Sequence, residues 1–429
     1  MIHATPSRDV VGGRASRAAH RGVLAFLAAA LAGGAGRAGA QQPVAGAAPT
    51  ADSAQARPAE TEKWYDRLSL RGYTQVRYNG LLRTNPDLAC AQCDRTLGRN
   101  GGLSLRRVRL VLSGDVSDRV SVYVQPDFAS DVGGALFVGQ LRDAYADVAL
   151  DRARTWRVRL GQSKIPYGWE NMQSSSNRIP LDRADALNSA LPNERDVAAL
   201  VYWAPARVRE LLDRLVDSGL KGSGDYGALG VGVFNGQGTN RPDANDGLHT
   251  AARFAWPFAI GRGRYAEVGV QGYTGRYVLT SGLRTPGVTA AARYVDERAA
   301  ATFVLYPQPF GLQAEWNVGR GPQFDPATRA VVTHRLDGGY VEAHYRVRRG
   351  DAALLPYVRA HRYDGGKKFE ADARRHRVRE LDVGVEWQPA PAFELTAEYL
   401  IADRTTADLA AGTRRERGRV LRLQAQLNY

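Results

Sequence analysis

The chain has 429 residues, 44% hydrophobic and 24% charged, with a formal net charge of +14, 53 Arg against 5 Lys, and two Cys. Mean hydropathy is negative, and no stretch after the N-terminal region reaches the ~18 apolar residues of a membrane helix, which excludes a helical membrane protein. The composition still fits either a soluble protein of two or three domains or a barrel whose alternate residues meet lipid; no exposed basic helix or zinc motif supports nucleic-acid binding, so an anion-attracting lumen suits the positive charge better.

The N-terminus reads as an export leader. Arg8, Arg14, Arg17 and Arg21 precede an apolar run over 22–33, and Ala38-Gly39-Ala40 is a small-x-small cleavage site. Residues 1–40 are therefore expected to be removed. Their loss takes five Arg and one Asp and lowers the net charge from +14 to +10. Residues 41–63 are rich in Ala, Pro and Gln, lack periodicity and are expected to form a flexible periplasmic extension. Residues 64–429 are expected to form the folded body.

From Trp64 onward strands and turns dominate. Leu70, Thr74, Val76 and Tyr78 alternate with Arg71, Tyr73, Gln75 and Arg77. Cys90 and Cys93 follow in an irregular stretch. No His or second Cys pair lies nearby to complete a zinc site, so an oxidising compartment favours a disulfide. Val108, Leu110 and Leu112 oppose Arg107 and Arg109, and a short turn leads to Val120, Val122 and Val124 opposing Ser121, Tyr123 and Gln125. Ala144, Ala146 and Val148 oppose Asp143, Tyr145 and Asp147; Trp156, Val158 and Leu160 oppose Arg157 and Arg159.

Residues 162–195 break this rhythm. They are long and polar, with Lys164, Arg178, Arg183 and Arg195 among them. A segment of that length inside a compact barrel is expected to be functional, and we expect it to fold into the lumen and narrow it. Residues 204–220 carry Leu211, Leu212, Leu215, Val216 and Leu220 at helical spacing, which predicts a short amphipathic helix at the barrel rim.

The second half repeats the alternation. Leu312, Ala314 and Trp316 oppose Gln313, Glu315 and Asn317; Leu381, Val383 and Val385 oppose Glu380, Asp382 and Glu386; Phe393, Leu395 and Ala397 oppose Glu394, Thr396 and Glu398. The chain finishes with Leu421, Leu423, Ala425, Leu427 and Tyr429 alternating with Arg422, Gln424, Gln426 and Asn428. With the weaker segments this gives about sixteen strands of ~10 residues, an all-β transmembrane antiparallel barrel with an inward-folded constriction loop. Inward arginines are expected to form a basic wall beside an acidic wall built from Glu315, Glu380, Asp382, Glu386, Glu394 and Glu398. Residues 80–102, 236–247 and 321–336 are expected to be long outer loops.

The stretches LRGYTQVRYN (70–79), LRRVRLVLSGDVSDRVSVYVQPDFA (105–129), LRDAYADVAL (141–150), VRLGQSKIPYGWE (158–170) and NERDVAAL (193–200) resemble the phosphate-selective porin O/P family. The resemblance covers roughly the first half of the chain. It implies a sixteen-stranded trimeric channel of the outer membrane of a Gram-negative-type bacterium, with an arginine ladder and an inward loop. Candidate anion-pathway residues are Arg71, Arg77, Arg107, Arg109, Arg157, Arg159, Lys164, Arg178 and Arg183. The long loop departs from a dense arginine run, so the readings stay open between a phosphate-type anion channel, a general small-solute porin and a closed adhesion or binding barrel. Expected partners are outer-membrane lipid, lipopolysaccharide, small anions, a homotrimer and the barrel-assembly machinery. No cofactor, metal or nucleic acid is expected. Catalysis is not expected either, because His249, His334, His344, His361 and His376 sit beside no evident activated Ser, and the glycines at 230, 232 and 236 precede no helix.

Overall fold

The computed structural model describes residues 63–429 apart from Ala91, Arg99, Asn100, Gly133, Ala410 and Ala411. The expected leader and nearly all of the expected extension lie outside the described residues. Strands run in chain order as β1 (Leu68–Thr84), β2 (Gly102–Asp115), β3 (Val120–Val132), β4 (Ala135–Ala149), β5 (Trp156–Lys164), β6 (Arg195–Trp203), β7 (Leu229–Phe234), β8 (His249–Ala259) and β9 (Tyr265–Tyr277). They continue as β10 (Tyr294–Leu305), β11 (Phe310–Asp325), β12 (Ala330–Tyr345), β13 (Val347–Arg349), β14 (Ala352–Gly366), β15 (Arg375–Ala390), β16 (Phe393–Asp408) and β17 (Gly412–Asn428). Helices are short: α1 (Trp169–Met172), α2 (Asp185–Asn188) and α3 (Ala206–Asp217).

Strands pair antiparallel with their neighbours in sequence, except that β12 and β13 do not pair with each other, and β17 returns to pair with β1, so the sheet closes. Closure leaves no free edge, which is what a sheet surrounded by hydrocarbon requires. β12 and β13 both pair with β14 and are two parts of one wall position interrupted at Arg346, whose backbone N–H turns to the carbonyl of Pro309. The closed barrel therefore has sixteen strand positions, as the alternation predicts. Many strands are longer than the ~10 residues a tilted span needs: β1 and β17 each have 17, and β15 and β16 each have 16.

The two faces separate as the period of two demands. Leu70, Val270, Val318 and Val341 are exposed on the outside, whereas Gln75, Arg77, Glu315, Glu386 and Gln426 are buried on the inside. An apolar exterior around a polar interior is the reverse of a soluble fold and fits a lipid-facing wall. Trp64, Trp156 and Tyr345 are exposed, and Trp156, Trp203 and Trp256 form a tilted row with centroids 6.2 and 6.3 Å apart. At the closing seam Gly72 N–H donates to Tyr429 O at 2.6 Å and Tyr429 N–H returns to Gly72 O at 3.0 Å. A Cβ at Gly72 would lie 2.5 Å from the Tyr429 ring, so this close approach needs glycine.

The lumen is filled from both ends. Residues 165–194 enter it as expected. The described residues of 85–101, a stretch expected to be an outer loop, also turn inward: Leu88, Cys90 and Leu97 are buried in a cluster with Leu400, Ala402 and Val420. Burying Leu88 and Leu97 against the wall supplies the apolar driving force for that turn. Residues 367–374 insert Lys367 and Lys368, both buried. Helix α3 does not merely rest on the rim. Val208 and Leu212 pack on Ala228 beside Trp203 and Trp256, and Leu215 packs with Trp169, Val304 and Tyr306 inside the mouth.

Candidate functional site

The segment 165–194 crosses the lumen and is fastened to the wall at β1, β10, β11, β14, β16 and β17, among other strands. On one side Tyr73 Oη and Ser175 Oγ lie 2.7 Å apart, Gln75 Nε2 donates to Ser175 O at 3.1 Å and Gln426 Nε2 to Ser176 O at 3.1 Å. On the other, Glu315 of β11 accepts from the backbone N–H of Trp169 at 2.8 Å and of Glu170 at 3.2 Å, while Arg298 of β10 donates to Ala186 O at 2.9 Å. Arg359 of β14 pairs with Glu170 at 2.9 Å, and Glu398 of β16 accepts from Leu181 N–H at 3.1 Å. A loop held at so many points is a fixed constriction, because its buried backbone polar groups are satisfied by the wall.

Ion pairs fill the space above it. Arg77 donates to Asp94 at 2.7 Å and to Asp182 at 3.0 Å, and Arg422 reaches Asp94 at 3.0 Å and also pairs with Asp182. Arg106, which faces inward because β1 and β2 carry a bulge there, adds a contact to Asp182 at 3.2 Å. Burial opposes the Asp182 charge, but Arg77, Arg422 and Arg106 outweigh it and hold its pKa below the ordinary carboxylate range. Asp185 takes Arg404 at 2.9 Å and Lys367. Glu194, with Arg183 and Arg195, is likewise held low against its burial. Cys90 and Cys93 form a disulfide whose Sγ atoms lie about 4.0 Å from Asp185.

Below the loop lies a cavity of about 490 Å³, open at the mouth that carries Tyr429. Its wall includes Arg71, Arg109, Arg159, Lys164 and Arg195 against the carboxylates Asp143 and Asp225, interleaved with Tyr73, Tyr123, Tyr145 and Tyr226. Arg109 pairs with Asp127 at 2.8 Å; Arg159 pairs with Asp147 at 2.7 Å and lies 3.8 Å from the Tyr145 ring centre. Lys164 Nζ donates to the carbonyls of Met172 at 2.8 Å and Gln173 at 2.9 Å. Arg71 has no side-chain hydrogen bond or ion pair among the described residues and faces the open end.

The candidate pathway residues thus divide. Arg71, Arg109, Arg159 and Lys164 meet at this cavity. Arg157 binds Asp225 at 2.9 Å beside it. Arg107 donates to Gln75 Oε1 at 2.7 Å and has no carboxylate partner among the described residues. Arg77 and Arg183 are held in ion pairs. Arg178 is buried inside the loop; burial, with the nearby Arg183 charge, lowers its pKa to about 10.

The expected acidic wall is corrected by the structure. Arg359 pairs with Asp382, Arg404 with Glu380 at 2.5 Å and Arg422 with Glu398 at 2.8 Å, so arginines stand between the carboxylates. Arg422 stands among the polar residues of the closing strand; Arg359 and Arg404 also lie at inward positions of strands whose alternation is plain, and face assignment alone would have found them. Lysine carried a further signal: of five, Lys164, Lys221, Lys367 and Lys368 are buried in the lumen.

Residues 85–429 match the family model described as phosphate-selective porin O and P. Among solved structures, the chain is similar to the outer-membrane channel DcaP of Acinetobacter baumannii, at 13% identity over 84% of this chain and 97% of that one, TM-score 0.52. It is also similar to Salmonella typhi OmpF, solved in complex with daunomycin, at 11% identity over 84% and 97%, TM-score 0.52. No curated protein sequence matches. The structures share the barrel fold, and the family match makes this an outer-membrane porin channel. With four-fifths of its length matched, the chain belongs to the phosphate-selective porin O and P family.

Proposed function

We propose that the channel passes small anions, phosphate among them, by passive diffusion, and that Arg71, Arg109, Arg159 and Lys164 line the path. The observation that carries this reading is the excess of five cationic side chains over two carboxylates on the wall of the 490 Å³ cavity. A narrow, low-dielectric passage of one sign concentrates ions of the other. Arg109 and Arg159 are already paired, so they contribute field and rigidity, whereas Arg71 retains its full set of donors for an incoming oxyanion. The family description supports phosphate as one solute. Current carried by chloride should fall as inorganic phosphate is added, as expected when phosphate occupies the same passage. Chloride current indifferent to phosphate would leave a general small-solute porin.

A second reading is a closed binding barrel, favoured by the ion pairs that fill the lumen above the loop. It requires folded protein with no conductance. Export through a leader at 1–40, residence in the outer membrane of a Gram-negative-type bacterium among lipopolysaccharide, insertion by barrel-assembly machinery and a homotrimeric state belong to the same proposal. Envelope fractionation and cross-linking test them.

A further inference from the structure

The connection between α3 and β7 enters the lumen from the mouth opposite the long loops. Leu220, Lys221 and Ser223 are buried. Gln173 Nε2 donates to Lys221 O at 2.7 Å and Asn177 Nδ2 to Gly222 O at 2.7 Å, so this segment meets the underside of the 165–194 loop. Gly222, Ser223, Gly224, Asp225 and Tyr226 then form part of the cavity wall that Arg71 and Arg159 face. One end of the segment is held by Arg157 to Asp225 at 2.9 Å. The other is held by Lys221 Nζ to Glu386 Oε1 of β15 at 2.5 Å, with Gln388 Nε2 bridging Glu386 at 2.7 Å and Glu394 at 3.0 Å. Lys221 itself has φ +64°, a left-handed conformation that a non-glycine residue adopts only when its surroundings impose it. The side chain does not line the cavity.

We propose that the width of the passage is set jointly by the 165–194 loop and by this second segment, and that Lys221 is the residue that positions the segment. An ammonium buried against a distant wall strand draws the backbone across the lumen. Without it only the hydrogen bonds from Gln173 and Asn177 and the Arg157–Asp225 pair oppose the unfavourable φ, and the segment relaxes toward the mouth. The inference rests on the reading that the cavity is the conducting path.

The test is the permeability of gluconate relative to chloride, measured from zero-current potentials across planar bilayers. Lys221→Met keeps the side-chain length and removes the charge. It should raise the gluconate-to-chloride ratio severalfold, leave the chloride-to-potassium ratio unchanged, and be reversed by Lys221→Arg. Gln173→Leu, which removes a bond between the two segments and spares the ion pair, should raise gluconate permeability in the same direction and covers the case in which Lys221→Met fails to fold. A gluconate ratio unchanged in a folded variant, or a change in chloride-to-potassium selectivity in step with it, overturns the role of Lys221. Absence of anion current in the unaltered protein instead overturns the conducting-path reading.

Discussion

Single residues divide into those that hold the lumen together and those that face its water. Arg422 is the plainest member of the first group, because Asp94, Asp182 and Glu398 all converge on it. Removing one partner of a buried ion pair leaves uncompensated charge and costs about 3–5 kcal/mol. Arg422→Met is expected to lower the unfolding free energy from urea titration by that amount, with a lower midpoint, and to expose 85–101 and 165–194 to trypsin. A variant as resistant as the parent would show that Arg77 and Arg106 carry the cluster without it. Arg71 represents the second group. With no partner among the described residues, Arg71→Glu should leave stability within about 0.5 kcal/mol. It should nevertheless reduce chloride-to-potassium selectivity, since the reversed charge sits at the cavity's open end. Unchanged selectivity would remove Arg71 from the path.

At the scale of elements, the wall and the inserted loops obey different physics. On β9, Val270 is 60% exposed at mid-strand. Val270→Arg would place a guanidinium on the lipid-facing surface, costing about 2–4 kcal/mol at the bilayer midplane. Reversible unfolding from lipid vesicles measures it, and a negligible cost would argue against that face meeting hydrocarbon. The 367–374 loop depends instead on charge. Burial opposes the Glu370 carboxylate, but His376, 2.7 Å away, and Lys367 outweigh it and hold its pKa at about 2 against an ordinary 4.5. A depressed carboxylate stabilises the fold fully above its unfolded pKa and loses that contribution as pH falls through the folded value. Protection against amide exchange in this loop, measured relative to the intrinsic rates, should therefore fall as pH drops from 4.5 toward 2, and Glu370→Gln should flatten the change.

The same division explains what the sequence reveals. Alternation assigns Gln313, Glu315 and Asn317 to the inside and Leu312, Ala314 and Trp316 to the outside from period alone, and the helical spacing of Leu211, Leu212 and Leu215 locates α3. Period says nothing about height along the axis or about partners. Arg422 and Asp182 are 240 residues apart and Lys221 and Glu386 are 165 apart, distances that only closure of the whole barrel brings to zero. Residues 85–101 have no period, so their inward turn was hidden; Leu88 and Leu97, apolar in a polar stretch, were the local trace of it.

For the molecule as a whole, the outside and inside answer to separate demands. A closed sheet with an apolar exterior satisfies every wall hydrogen bond in lipid. The interior carries the charge, most of it neutralised pairwise above the loop and left in cationic excess below it. This asymmetry gives the channel its proposed preference. The most direct test is the zero-current potential of the purified protein in a planar bilayer under a KCl gradient. A passage lined by cationic side chains drives the potential to the sign set by chloride. A potential of the opposite sign, set by potassium, would contradict the account.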